Sequence, residues 1–304
     1  MVNLEQLKES GIIPPDSKII SEHNNTIIES TVEKLVGRLA TLHSINTRDT
    51  PGDICYAHAL AWEMRNENVV VSPITEQPIL ENGVVISLYP KLDQIDLRNV
   101  EASSIHQKIS TFNTSLGMIN EYMKHEIYTL DISEYASRRL YSVRDDILLK
   151  NNKQLSGFTS DILSYYTQNY PFTELTSDDR ALVHGDLHMG NIVMNHTYEP
   201  FIIDLDSTSV GPRLYDLASW HVRSMRGDIA PTTKMIDLEK ASGRWNQESF
   251  AALMGWKIIS SLTHEIKYQQ NDIVRQNNIA QLISIAKRLS LPGDWELNSN
   301  HGLA

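Results

Sequence analysis

The residues of this chain best placed to do chemistry lie in Leu182-Val183-His184-Gly185-Asp186-Leu187-His188-Met189-Gly190-Asn191 and, one apolar run later, in Phe201-Ile202-Ile203-Asp204. Asp186, Asn191 and Asp204 offer hard oxygen donors. Mg²⁺ takes such donors, keeps several waters, and binds through one or two carboxylates together with substrate phosphates. Asn191 and Asp204 suit the metal. Asp186 suits a substrate hydroxyl, whose proton it can accept while it orients that oxygen for in-line attack on a γ-phosphorus. The chemistry implied is phosphoryl transfer from a nucleotide to an alcohol.

Two strands must hold these groups. Ile192-Val193-Met194 and Phe201-Ile202-Ile203 are short apolar runs separated by Asn195-His196-Thr197-Tyr198-Glu199-Pro200, the pattern of a hairpin. Folded symmetrically about that turn, Met194 faces Phe201, Ile192 faces Ile203 and Asn191 faces Asp204. Cross-strand neighbours have Cβ atoms roughly 4.5–5.5 Å apart, so amide and carboxylate would converge on one cation. Asp186 stands at the mouth of the same hairpin. A single Asp in a turn is more often a cap or an Asx turn than a catalyst. It is the combination of three spaced polar residues with the strand pattern that points to a site.

The order His184-Gly185-Asp186, four residues, Asn191, then Asp204 reproduces the H-R-D-x-x-x-x-N loop and downstream metal Asp of protein kinases, with Gly185 in place of Arg. This form resembles the aminoglycoside phosphotransferase and choline kinase family of small-molecule kinases. Val210-Gly211-Pro212-Arg213-Leu214-Tyr215-Asp216-Leu217-Ala218 resembles the G-P-x-x-x-D-L-A segment of that family. The resemblance implies that Asp186 is the catalytic base and that Asn191 and Asp204 bind Mg²⁺. It implies supporting roles for His184 and Asp216, and for His188 either bracing of the loop or contact with phosphate. It also implies an α+β, bilobal protein-kinase-like fold and ATP, or another nucleoside triphosphate, as donor.

The expected lobes divide near residue 90. Ser17–Ile20, Thr26–Val32 and Lys34–Leu39 read as three consecutive strands, and a helix runs from about Ile54 to Asn66 with Asp53 at its N-cap. Val69-Val70-Val71 and Gly83–Tyr89 read as two more strands around the turn Glu81-Asn82-Gly83. Residues 1–90 thus form an antiparallel sheet with one helix, the nucleotide-binding lobe. Residues 91–304 form a larger, mainly helical lobe holding the catalytic loop, the metal site and the substrate cleft, with helices near 102–124, 131–151, 156–169, 214–225, 247–266 and 273–290. Phe250, Leu253, Met254, Ile258 and Leu262 make a stripe that reads as a core-facing helix. Asn298–Ala304 reads as a loose tail.

In the first lobe the family implies a basic residue on the third strand, touching nucleotide phosphates and paired with a helix Glu. Arg38 fits that strand position. The backbone of Ser87, Leu88 and Tyr89 is placed to meet adenine, and Ile203, beside Asp204, to contact the nucleotide. Two departures stand out: the loop Ser21-Glu22-His23-Asn24-Asn25 has no glycine, and His58 falls nearest the helix-Glu position, with Glu63 further along. Acceptor-site candidates by position are Asp206, Trp220, His221, Arg223, Asp228, Trp256 and Glu265, although a helical Trp usually fills core first.

Composition bounds the alternatives. The chain has 304 residues, 41% hydrophobic and 21% charged, and a net charge of −11. That size suits two lobes, and that charge, with no Lys/Arg cluster, excludes unspecific nucleic-acid binding. It is compatible with a cationic acceptor such as an amine-bearing antibiotic, and the hydroxyl acceptors expected of a small-molecule kinase are such an antibiotic, an amino alcohol or a sugar. No apolar run approaches 18 residues and no basic-then-apolar leader opens the chain, so neither a membrane span nor a signal peptide is expected. With one cysteine, Cys55, no internal disulfide can form, and a cytoplasmic home is expected. The competing readings are a nucleotide-binding pseudokinase with a regulatory role and a kinase acting on a macromolecule. Against the latter, no D-F-G or A-P-E segment is present and Asp204 is followed by Leu205-Asp206.

Overall fold

The computed structural model describes residues 3–22, 26–41, 54–92, 100–121, 124, 127–130, 132, 180–226, 232–268 and 272–288. The chain forms two compact units, Met1–Tyr128 with Ala181–Val210, and Thr129–Arg180 with Gly211–Ala304.

The first unit is built on a five-stranded antiparallel sheet. Its strands are β1 (Lys18–Glu22), β2 (Thr26–Ser30), β3 (Leu35–Thr41), β4 (Ile79–Glu81) and β5 (Val84–Pro90), in the order β1-β2-β3-β5-β4. Alternation along the strands sorts the side chains. One face buries Ile28, Leu39, Val84, Ile86 and Leu88 under Leu7 of helix α1 (Leu4–Glu9) and Ile13. Full burial of each such side chain contributes roughly 1.5–3 kcal/mol. Gly37 lies on this face, where an added Cβ would come within 2.7 Å of Ile28 Cγ1, so Ile28 fills the space a side chain would need. The opposite face carries Ala40 and Val85 against Ile54 of helix α2 (Ile54–Glu63). Arg38 and Ser87, paired across β3 and β5, continue that second face, as do Val36 and Tyr89.

The turn from β2 to β3 is held by one carboxylate. Asp16 accepts from Ser30 Oγ at 2.6 Å, Thr31 N at 2.9 Å and Val32 N at 3.0 Å. These donors, the Ser30 hydroxyl first, lower its pKa to about 2.

One strand expectation needs correction. Asn82 and Gly83, with φ of 50° and 74°, form the tight turn that joins β4 to β5, and the left-handed pair matches a two-residue hairpin loop. The strand entering that turn is Ile79–Glu81, not Val69–Val71. Pro73 and Pro78 interrupt the chain between the two segments. Val69–Val71 instead lies along β8 (Pro200–Ile202), where Ile202 N donates to Val69 O at 2.9 Å and Val71 N to Ile202 O at 3.2 Å.

Helix α3 (Ala102–Thr114) buries Ile105, Ile109 and Phe112, and its Asn113 Nδ2 donates to Leu182 O at 2.8 Å in strand β6 (Arg180–Val183). Strand β7 (Ile192–Met194) pairs with β8, and β6 pairs with β9 (Ser209–Pro212).

The second unit, so far as it is described, is helical: α4 (Tyr215–Met225), α5 (Thr232–Ala241), α6 (Gln247–Tyr268) and α7 (Asp272–Arg288). The expected stripe Phe250, Leu253, Met254, Ile258 and Leu262 is buried on α6. A polar bracket ties three helices together: Arg226, capping α4, pairs with Glu265 of α6 at 3.0 Å, Asn278 of α7 donates to the same carboxylate at 2.8 Å, and Gln281 donates to Arg226 O at 2.7 Å. Helix α5, which the apolar pattern did not signal, buries Met235 and Ile236 and pairs its Glu239 with Arg213. The expected helices near 131–151 and 156–169 fall almost wholly outside the described residues, and Asp53 and the tail 298–304 fall outside them altogether. The class is α+β, an N-terminal antiparallel sheet followed by helices, as expected. Among the described residues no helix is long and apolar enough to cross a membrane.

Candidate active site

The site is assembled by β6, β7 and β8 and the two connections that flank the β7–β8 hairpin. Within the hairpin Ile192 pairs with Ile202, Val193 with Phe201 and Met194 with Pro200. That is one residue out of the symmetric register expected from sequence. The connection Asn195–Glu199 is an odd, five-residue loop: Asn195 Oδ1 accepts from Thr197 N and Glu199 N, both at 3.0 Å, and Tyr198 is left-handed at φ 62°. An odd loop moves every pair by one position. Asn191 is therefore opposite Ile203, whose N donates to Asn191 O at 3.0 Å, and not opposite Asp204.

Asp204 regains the site by a change of backbone direction. It adopts φ 65°, ψ 59° and starts the 3₁₀ turn Leu205–Ser207. A left-handed non-glycine residue costs on the order of 1–3 kcal/mol, and such strain concentrates where function over-determines the conformation.

His184 ties the two connections together. Fully buried, it holds Ile203 O at 2.8 Å through Nε2 and receives Asp186 N at 3.3 Å on Nδ1. Because a carbonyl only accepts, the ring proton sits on Nε2 and Nδ1 is the acceptor. The neighbouring Gly185 has φ 83°, and a Cβ there would lie 2.4 Å from Ser207 O. Glycine is what lets the loop before Asp186 touch the turn after Asp204. This is the physical reason that His-Gly-Asp stands where protein kinases carry His-Arg-Asp.

Asn191 closes the loop. Its Nδ2 donates to Asp186 O at 3.0 Å, which leaves Oδ1, the metal-binding atom of the amide, outside that bond. His188 caps the 3₁₀ turn Met189–Asn191, its Nδ1 accepting from Gly190 N at 2.9 Å, and its Nε2 lies 3.8 Å from Asp186 Oδ2. Of the two roles left open for His188, bracing of the loop is the one these contacts describe.

Electrostatics centre on Arg38, whose side chain is only 14% exposed. Its Nη2 meets Asp206 Oδ2 at 2.6 Å and its Nη1 meets Asp204 Oδ1 at 3.3 Å. Burial pushes its pKa down, but the two carboxylates, Asp206 above all, push it up further. The Asp204 carboxyl is raised above the usual carboxylate range. The first cause is burial of its surroundings, although 48% of the side chain stays open; repulsion from Asp206 and Asp186 adds to it, and Arg38 and His184 only partly oppose it. Asp204 Oδ2 has no hydrogen-bond donor among the described residues. Carboxylates in excess of cations, an amide oxygen outside the Asn191–Asp186 bond and an undonated carboxylate oxygen are donors of the kind a hard divalent ion takes.

The helix position expected to carry Glu carries His58, fully buried. Its Nε2 donates to Thr75 O at 3.0 Å and its Nδ1 accepts from Ser87 Oγ at 2.6 Å. Burial lowers its pKa, so the ring is neutral and has no charge to offer Arg38. The Tyr89 hydroxyl is raised by burial, within the fields of Arg38, Asp206 and Asp204. In the segment Ser87 to Tyr89, whose backbone was expected to meet adenine, the Leu88 carbonyl accepts from Ile74 N at 2.9 Å, and Ser87, Leu88 and Tyr89 pair with Arg38, Gly37 and Val36 on β3.

Thus Asp186, Asn191, Asp204, Ile203, Arg38, Ser87, Leu88, Tyr89, His184, His188 and Asp206 all lie in the first unit. Asp216, Trp220, His221, Arg223, Trp256 and Glu265 lie in the second. There Asp216 is buried in the first turn of α4, Trp220 and Trp256 are fully buried in the helix packing, and His221 Nδ1 lies 3.1 Å from Thr232 Oγ1. Asp228 falls outside the described residues. Sequence reasoning missed the bond from Tyr56 OH on α2 to Thr208 O at 2.7 Å, which anchors the far end of the Asp204–Asp206 turn.

A sheet with one helix, a loop-and-hairpin bearing Asp, Asn and Asp, and a helical second unit define the kinase-like class of phosphotransferases. The chain belongs to the phosphotransferase enzyme family, whose model matches residues 20–253. Similar solved structures share its fold at low identity. An AMP-bound spectinomycin phosphotransferase superposes with a TM-score of 0.68 at 13% identity, over 93% of this chain and 95% of that one. A choline kinase from Streptococcus pneumoniae gives 0.60 at 13%, over 92% and 98%. An amicoumacin kinase in complex with AMP-PNP and Ca²⁺ gives 0.58 at 13%, over 97% and 96%. No curated protein sequence matches the chain.

Proposed function

We propose that the protein transfers the γ-phosphate of ATP to a hydroxyl of a small molecule, with residues 1–90 as the nucleotide lobe and 91–304 supplying the catalytic loop and acceptor cleft. The observation that carries this is the bracing of Asp186, Asn191 and Asp204 around one buried histidine, beside a buried arginine. Asn191 and Asp204 are the residues that would hold Mg²⁺. When bound, that ion would supply neutralisation of the phosphate oxygens. Arg38 offsets charge on the remaining phosphate oxygens, and Asp186, held by its backbone at both ends, orients the acceptor hydroxyl and takes its proton. Little prior deprotonation of the acceptor hydroxyl is needed in a loose transition state.

The acceptor class is read from charge and from relatives. Spectinomycin, choline and amicoumacin are named with the structural neighbours, and a net charge of −11 favours a cationic acceptor here. An aminoglycoside-like antibiotic, an amino alcohol or a sugar are the candidates, the amine-bearing ones favoured by the charge, and modification of an antibiotic would confer resistance. A cytoplasmic site of action, where nucleoside triphosphate is available, is part of this reading. The test is incubation with γ-labelled ATP, Mg²⁺ and a panel of such alcohols. Label in at least one small-molecule product supports the proposal; label only in protein, or in no acceptor, contradicts it.

A further inference from the structure

We propose that Asp206 is the positioning residue of the phosphate clamp, taking the place of a helix carboxylate that, among the described residues, no helix brings to Arg38. The inference rests on the phosphotransferase reading above and deepens it.

A buried guanidinium has to be paired and aimed, because charge in a poorly solvated place is costly unless compensated. Helix α2 cannot do this for Arg38. Its sequence, Ile-Cys-Tyr-Ala-His-Ala-Leu-Ala-Trp-Glu, has a single acid, Glu63, at its last position, and the residue facing the sheet beside Ser87 is His58. That ring is spent on Ser87 and Thr75.

Asp206 fills the vacancy from the other side. Its Oδ2 meets Arg38 Nη2 at 2.6 Å, and its Oδ1 is buried with no hydrogen-bond partner. The carboxylate caps no helix and closes no turn: among the described residues its one hydrogen bond is to Arg38. The turn that carries it is held at both ends. Ser207 O lies against Gly185, Thr208 N donates to Leu205 O at 3.0 Å, and Tyr56 OH donates to Thr208 O at 2.7 Å. With Asp206 taking the stronger arginine contact, Asp204 keeps Oδ2 for a cation. One short turn therefore sets the metal carboxylate and the phosphate arginine relative to each other, a task that a strand-to-helix ion pair performs in protein kinases. The three N–H groups of the guanidinium not used on carboxylates remain for phosphate oxygens.

The test is a double-mutant cycle read by calorimetric titration of MgATP and, separately, of adenosine, on wild type, Asp206→Asn, Arg38→Gln and the double variant. Asp206→Asn should weaken MgATP by roughly tenfold, the size of one lost charge-assisted hydrogen bond, and leave adenosine unchanged. In the Arg38→Gln background the same change should cost less than about twofold, since nothing is left to aim. Asp206→Glu, which keeps the charge, should fall within about threefold of wild type and serves as the deciding variant where Asp206→Asn does not fold. Equal losses in both backgrounds, equal losses for ATP and adenosine, or a Glu variant as weak as the Asn variant would overturn the assignment. Absence of saturable MgATP binding by the wild type would overturn the phosphotransferase reading itself. Binding with additive losses would overturn only the role of Asp206.

Discussion

Replacing Gly185 by alanine tests whether the contact between the catalytic loop and the Asp204–Asp206 turn is what fixes the site. Two costs add. At φ 83° an alanine sits in left-handed backbone, which disfavours it by roughly 1–2 kcal/mol. Its Cβ would stand 2.4 Å from Ser207 O, about 0.9 Å inside the roughly 3.3 Å at which a carbon meets a carbonyl oxygen. Backbone must yield, because no side-chain rotation relieves that contact. Reduced chain entropy in the unfolded state returns about 0.4–1 kcal/mol. The net loss is on the order of 2 kcal/mol once the displaced turn is counted, which for a chain of this size lowers Tm by about 3 °C. Turnover should suffer more than stability, since the displaced turn carries both Asp204 and Asp206 and a shift near 1 Å costs about a hundredfold in rate. Thermal unfolding followed by circular dichroism, and phosphoryl transfer to the best acceptor, give the two readouts. A Gly185→Ala protein that melts within about 1 °C of wild type and turns over within about twofold of it would refute the reasoning.

Two other outcomes follow from single contacts. The Asp16 carboxyl is lowered to about 2 by its donors, against roughly 3.9 in an unfolded chain. A depressed acid contributes stability that is fully present above the unfolded value and is lost as pH falls through the folded one, so this contribution should fade between about pH 4 and pH 2; Asp16→Asn should abolish that part of the acid limb, and a side-chain NMR titration midpoint near 4 would contradict it. Tyr56→Phe removes the donor to Thr208 O and should cost about 1 kcal/mol by urea unfolding, with a larger fractional loss of turnover than of stability; an unchanged urea midpoint would show that α2 does not anchor the Asp204–Asp206 turn.

The parts of the fold written in local pattern were legible in the sequence. Strands β2 and β3, helix α2 and the stripe on α6 bury one face, and periodicity is a local signal; β1 is an apolar run that was legible too, although it leaves Ile19 and Ile20 exposed. The hairpin register was not legible, because it depends on whether the loop after Met194 has six residues or the five that the Asn195 side chain closes, a choice made by side-chain hydrogen bonds. Val69–Val71 has the composition of a sheet strand and still joins β8, since pairing partners are decided by topology. The motif singled out Asp186, Asn191 and Asp204 as candidates, but the partner of Arg38 lies 168 residues away in sequence, and no spacing rule reaches that far. Asp206 was visible only as one acid among several. The role of Gly185 was hidden for the same reason: its requirement comes from Ser207, not from its neighbours.

The central claim is a division of labour within one loop-and-hairpin, and one comparison tests it most directly. Asp186→Asn and Asp204→Ala are assayed side by side for Mg²⁺-dependent ATP affinity and for single-turnover transfer to the acceptor. The account predicts that Asp204→Ala loses Mg²⁺-dependent affinity, whereas Asp186→Asn keeps it nearly intact and loses turnover by about a hundredfold or more. Equal loss of nucleotide affinity in both variants, or full turnover in Asp186→Asn, would contradict it.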